Sequence, residues 1–248
     1  MFTRIKTRRS FEDAVQQITG AIRAGDLGVG DKLPSERELA GLMQISRPTV
    51  REAIKLLSES GVIEVRPGKR GGSFVASDVV PRNLVAEQSD LRLAEVAGVL
   101  EARRLFEPRV AQLAALRGTS EDFEALAQTI ESQRQAGDDH EQGLQLDMRF
   151  HLQIARATHN ATLVDMMRHL LGQLEIARDM SLREESESSH AIAIHERTLA
   201  AILSGDPEQV DIAMDEHMSF LEQIWERESG RARLRRTPDF LLPYAERV

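Results

Sequence analysis

The chain has 248 residues, a length that suits two domains, and it contains no cysteine, which excludes a disulfide framework and any thiolate metal site. Its net charge of -8 argues against a uniformly nucleic-acid-binding protein, yet the charge is uneven: residues 1–76 hold 13 Lys+Arg against 9 Asp+Glu, and the remainder hold 19 against 31. The basic N-terminus lacks an apolar h-region and no apolar run approaches the roughly 18 residues of a membrane span, so a soluble, cytoplasmic protein is expected.

Phe11, Val15, Ile18 and Ile22 recur at helical spacing and predict an amphipathic helix over 11–24, with Ser10 as its N-cap. Pro34 and Ser35 then announce a second helix. Ser35 followed three residues later by Glu38 is a capping box, in which hydroxyl and carboxylate each satisfy an orphan backbone donor. A third helix begins at Ser46. Leu39, Met43, Ile45, Val50 and Ala53 are spaced to turn both helices toward one small core, with Ala40 permitting close approach. The turn between them carries Gln44 where many such motifs have glycine, and a left-handed conformation there would cost on the order of 1 kcal/mol. Val62-Ile63-Glu64-Val65 and Ser73-Phe74-Val75 read as two short strands around the tip RPGKRGG. The unit is a winged helix-turn-helix, three helices plus a two-stranded wing.

Its exposed residues suit DNA. Arg47, Thr49 and Arg51 lie in the first turns of the third helix, the part that enters a major groove, where arginine can grip a guanine edge with two hydrogen bonds. Arg37 can reach a base or a phosphate from the helix before. Gly68, Lys69 and Arg70 at the wing tip bring backbone and cationic side chains close to a sugar-phosphate groove. The alternative is a solvated helix face whose arginines pair with Glu36, Glu38 and Glu52.

Residues 77–92, interrupted by Pro81, read as a linker. From Leu93 the pattern is helical. Val96, Leu100, Phe106, Val110 and Leu113 give one stripe, and Phe123, Leu126 and Ile130 a second. Further helices are expected near 141–157, 161–182, 189–204 and 207–227, the last with Asp206 as cap and Pro207 at the first helical position. The expected architecture is mainly α: a DNA-binding domain over 1–76, an all-α bundle of six or seven helices over 93–230, and an exposed basic tail over 231–248.

Asp147 and His151 stand at i, i+4 and project from one helix face, while His195 and His217 are each embedded among apolar helical residues. Three imidazoles and a carboxylate suit a divalent transition metal, zinc foremost, with nickel or manganese as alternatives. Spacing alone leaves open that each is a hydrogen-bonded core residue.

Together the stretches LPSERELA, SRPTVREAIKLLSESGVI, EARRLFEPRVAQLAALRG, LDMRFHLQIARATHN and HERTLAAILSGDPEQVDIAMDEH resemble the GntR superfamily of bacterial transcription regulators, in its FadR-type branch with an all-helical FCD effector domain. The resemblance implies DNA contacts from Arg37, Arg47, Thr49, Arg51 and the wing around Gly68, and a metal bound by Asp147, His151, His195 and His217. It also implies an effector-binding role for Arg103, for which an intrahelical pair with Glu107 is the alternative. Such a protein would be a homodimeric repressor that releases its operator on binding a small organic acid. A metal-dependent hydrolase and a regulator with a purely structural metal are the competing readings, although no H-E-x-x-H pair or nucleophile elbow supports the enzyme.

Overall fold

A computed structural model describes residues 8–68, 71–81, 93–137, 139–174 and 185–229. The chain divides into two compact units, Met1–Gln88 and Ser89–Val248.

In the first unit, α1 spans Arg8–Arg23, α2 Glu36–Met43 and α3 Arg47–Glu59, followed by β1 (Ile63–Arg66) and β2 (Gly72–Val75). Helix α1 begins earlier than its apolar spacing suggests: Ser10 lies inside it and does not cap it. The capping box of α2 is complete, with the Glu38 amide donating to Ser35 Oγ at 3.3 Å and the Ser35 amide donating to Glu38 Oε2 at 2.8 Å. Helix α3 starts from Ser46, whose hydroxyl accepts the Thr49 amide at 3.3 Å, and Pro48 fits the first turn, where no intrahelical amide bond is lost. Gln44 closes α2 in the left-handed region, at φ 53° and ψ 42°, with its amide bonded to the Ala40 carbonyl. A non-glycine residue therefore carries the tight turn.

The wing pairs Ile63 with Val75 and Arg66 with Gly72 in antiparallel register, and Lys32 bridges to Phe74 on its other edge. Val15, Ile18, Ile22, Leu39, Val50, Ala53, Leu57 and Val75 form the core, with Phe11, Met43 and Ile45 packed half-buried against it. Burying each Val, Leu or Ile stabilises by about 1.5–3 kcal/mol, enough for a small domain without a covalent staple. Val80 is buried in the same core and its carbonyl accepts from Arg23 Nη2 at 3.5 Å. The first unit's packing thus reaches past the wing into the stretch read as linker; residues 82–92 lie outside the described residues.

The second unit holds α4 (Leu93–Arg117), α5 (Ser120–Ala136), α6 (His140–Arg156), α7 (Ala161–Gln173), α8 (Glu185–Ser204) and α9 (Pro207–Ser229). Polar caps start four of them: Thr119 with Asp122, Asp139, Asn160, and Asp206, whose Oδ1 accepts the Glu208 amide at 2.9 Å. Helix α7 closes at Gln173 with Leu174 as its cap, and residues 175–182 of the longer helix expected there lie outside the described residues, as does the tail from residue 230. Helix α5 packs on α6 and α8, and α4 packs on α9, where Arg104 binds Glu222 through Nε at 2.9 Å and also pairs with Asp215.

Helix α4 departs from its predicted stripe. Its buried side chains are Val96, Val99, Leu100, Arg103, Glu107, Val110, Ala111 and Ala114, while Phe106 and Leu113 are half-buried. Two charged residues occupy the middle of the inward face. No helix among the described residues is long and apolar enough to cross a membrane.

Candidate metal centre and nucleic-acid interface

Three helices of the second unit bring His151 (α6), His195 (α8) and His217 (α9) together, with ligand atoms within 4.8 Å of one another. All three are buried, at 0, 1 and 4% exposure. Asp147, one turn before His151, places Oδ1 3.3 Å from His195 Nε2 and 3.9 Å from His151 Nε2. The Phe150 ring stacks on His195 with centroids 4.1 Å apart and fixes its plane.

The second nitrogen of each ring is the telling one. His151 Nδ1 faces Glu107 Oε2 at 2.6 Å, an ion-pair separation that favours a proton on Nδ1. His195 Nδ1 bonds Gln133 Oε1 at 2.8 Å, and His217 Nδ1 bonds Thr198 Oγ1 at 3.1 Å. With an oxygen within 3.1 Å of Nδ1 in every ring, Nε2 is the nitrogen turned toward the cluster, which is how ligand histidines are oriented in metal sites. Burial holds the His217 ring well below the usual histidine range, and the Arg103 guanidinium pushes it the same way against the opposing Asp147 carboxylate. A neutral imidazole is the ligand form. The donor set therefore fits a divalent transition metal on the chemistry of its own hydrogen bonds.

Arg103 lies at the same place. Its Nε donates to Glu107 Oε1 at 2.5 Å, and its Nη2 stands 3.1 Å from His151 Nε2, with both charged side chains almost fully buried. The intrahelical pair with Glu107 and the position beside the histidines, posed as alternatives by the sequence, are both present. A buried ion pair adds little net stability over an apolar filling of the same volume, so core packing does not account for it.

Glu107, Gln133 and Thr198 were not singled out as site residues by the sequence. The available signal was a polar side chain at an apolar register position: Gln133 follows Leu126 and Ile130 at i+7 and i+3, and Thr198 follows His195 at i+3.

In the first unit, Arg37 and Arg47 are exposed and have no ion pair among the described residues. Arg51 is exposed but engaged: its Nε and Nη2 grip Glu36 across α2 and α3, with Nη2 to Oε2 at 2.7 Å. That hydrogen bond holds the Glu36 carboxylate below its usual range, despite a small opposing effect of burial. The Thr49 hydroxyl bonds Ser46 Oγ at 2.7 Å. At the wing, Gly68 has φ 103°, and its carbonyl accepts the Gly71 amide at 2.9 Å. Lys69 and Arg70 lie outside the described residues. Arg66 rests over the Phe74 ring, 4.4 Å from its centroid, and pairs with Glu64 at 2.7 Å.

A winged helix with exposed arginines at the start of its third helix, in one chain with a helical bundle enclosing an imidazole cluster, defines a DNA-binding regulator with a separate all-helical unit. The chain belongs to the gntR family of bacterial regulatory proteins: that family's model matches residues 11–75, and the FCD domain model matches residues 98–220. The Uxu operon transcriptional regulator of Escherichia coli K12 is 30% identical over 87% of this chain and 86% of its own length. The Exu regulon transcriptional regulator of the same strain is 31% identical over 85% and 82%, and the transcriptional repressor NanR of Klebsiella aerogenes 29% over 90% and 86%. The solved structure of E. coli McbR/YncC shares the fold, with a TM-score of 0.54 over 92% of this chain and 100% of that one at 20% identity. The protein is thus a DNA-binding transcription regulator and not an enzyme.

Proposed function

We propose that the protein is a homodimeric repressor whose hold on an operator is released by a small carboxylate bound in the helical domain. Arg37, Arg47, Thr49 and Arg51, with Gly68, Lys69 and Arg70 of the wing, make the DNA contacts, two copies reading the half-sites of a pseudo-palindrome. Asp147, His151, His195 and His217 hold a divalent transition metal, zinc foremost, with nickel or manganese as alternatives, and the ion supplies a Lewis-acidic point that draws a carboxylate. Arg103 supplies a second cation for the same acid, and the surrounding apolar side chains keep water from competing. The observation that carries the reading is the set of three buried histidines with ligand atoms within 4.8 Å of one another, each with an oxygen facing its Nδ1. The repressor sense is supported by the name of the NanR relative.

A tenfold loss of DNA affinity needs only about 1.4 kcal/mol of coupling between the two sites, well within what one charged contact supplies. The test pairs two measurements. Small carboxylates are screened for a change in melting temperature before and after chelation, and those that shift it are added to a gel-shift on the protein's own upstream region, with Arg47→Ala as control. The proposal expects a metal-dependent thermal shift and a weakened DNA complex from the same acid. Metal stabilisation with no response to any acid would make the ion a structural staple, and an Arg47→Ala protein that binds as tightly as wild type would remove the recognition-helix assignment.

A further inference from the structure

His151 Nε2 is claimed by Arg103. An imidazole whose Nδ1 carries the proton has one lone pair, on Nε2 and in the ring plane. The Glu107 carboxylate 2.6 Å from Nδ1 favours that tautomer, and Arg103 Nη2 stands 3.1 Å from Nε2, within donating distance of the lone pair. One lone pair cannot accept a guanidinium proton and ligate an ion together, and the two cations would repel across a site with little water to screen them. We infer that Arg103 competes with the metal for His151 Nε2 and so acts as a gate on loading, an inference that rests on the metal reading above.

Glu107 makes the gate workable. Its Oε1 binds Arg103 Nε and its Oε2 faces His151 Nδ1, so one buried carboxylate holds both competitors. The guanidinium can turn its terminal nitrogens away from His151 while Nε stays on Glu107, and the buried charge is never left without a partner. Once turned, those nitrogens become available to an acid. Metal loading and acid binding are then linked through one arginine: whatever draws Arg103 off His151 favours loading, and loading frees Arg103, as reciprocity demands.

The test uses the full-length chain and zinc alone. Apparent zinc affinity is measured by competition with a chromophoric chelator for wild type and Arg103→Met, and for Glu107→Gln with and without Arg103→Met, the double variant leaving no unpaired charge should Arg103→Met alone fail to fold. A crystal structure of the zinc-loaded wild type accompanies it. The expected results are zinc bound at least tenfold more tightly by an Arg103→Met protein than by its parent, and Arg103 Nη2 out of hydrogen-bonding range of His151 in the loaded structure. Equal or weaker zinc binding by each Arg103→Met protein than by its own parent, or a loaded site in which Arg103 still sits on His151 Nε2, would overturn the gate while leaving the metal reading intact. Failure of every protein to bind zinc would instead remove the metal reading, and the gate with it.

Discussion

Among the described residues of the DNA-reading motif, Gln44 alone combines a side chain with a left-handed backbone. At φ 53° and ψ 42° it sits where a Cβ crowds the following carbonyl, at a cost of about 1–2 kcal/mol. Gln44→Gly removes that cost but adds freedom to the unfolded chain worth about 0.5–1 kcal/mol. Nothing else is lost, because Gln44 is exposed and its cap bond to Ala40 is made by the backbone. The two ranges differ by about 0–1.5 kcal/mol, with a central expected gain of about 0.75 kcal/mol, or about 3–6 °C in the melting temperature of a domain this small. The chain's single tryptophan, Trp225, is buried in the second unit, so its fluorescence follows that unit while far-UV circular dichroism follows both. Denaturation of Gln44→Gly should move only the circular dichroism phase that tryptophan does not report. Gln44→Ala, which keeps a Cβ, should not reproduce the gain. A Gln44→Gly protein no more stable than wild type would refute the strain argument.

Other positions give sharper local tests. Thr119→Ala removes the cap of α5, where Thr119 and Asp122 bond each other reciprocally, and should cost about 1 kcal/mol in thermal denaturation. Burial pushes the Asp122 carboxyl up, but bonds from the Thr119 backbone and side chain, and His159 at 3.0 Å, outweigh it and hold the carboxyl below its usual range. A depressed carboxylate stabilises above its unfolded pKa and loses that contribution as pH falls through the folded one. The melting-temperature gap between wild type and Asp122→Asn should therefore be full at pH 7 and shrink below about pH 4. Gly71→Ala would place a Cβ 2.1 Å from the Arg66 carbonyl, so the wing turn should be destabilised by about 1–3 kcal/mol and the operator complex weakened in a gel-shift. Gln133→Leu removes the acceptor that orients His195 and should weaken zinc binding by about 10- to 100-fold in chelator competition, leaving DNA binding without metal unchanged.

What could be read from the sequence was what is local. The Ser35–Glu38 box, the Ser46 cap, the wing strands and the Asp206–Pro207 start depend on residues within a few positions of each other, and each is found where its spacing places it. The start of α1 was missed because Arg8 and Arg9 extend the helix without adding an apolar residue to its period. The inward face of α4 was misread for a related reason: periodicity counts apolar side chains, and Arg103 and Glu107 replace them in the middle of the buried stripe. The i, i+4 spacing puts Asp147 and His151 on one face of one helix, but the approach of His195 and His217 depends on packing among three helices, which spacing does not encode. Gln133, Thr198 and the contact of Glu107 with His151 were hidden more deeply, since a buried polar residue reveals its role only through the partner it meets.

The claim on which the account turns is that His151, His195, His217 and Asp147 form one metal site per chain. Metal content after zinc loading and removal of excess, measured by mass spectrometry on wild type and on a variant carrying His151→Ala, His195→Ala and His217→Ala, tests it most directly. The account predicts one zinc per wild-type chain and none in the variant, with both retaining helical circular dichroism. Equal zinc content in the two proteins, or none in wild type, would contradict it.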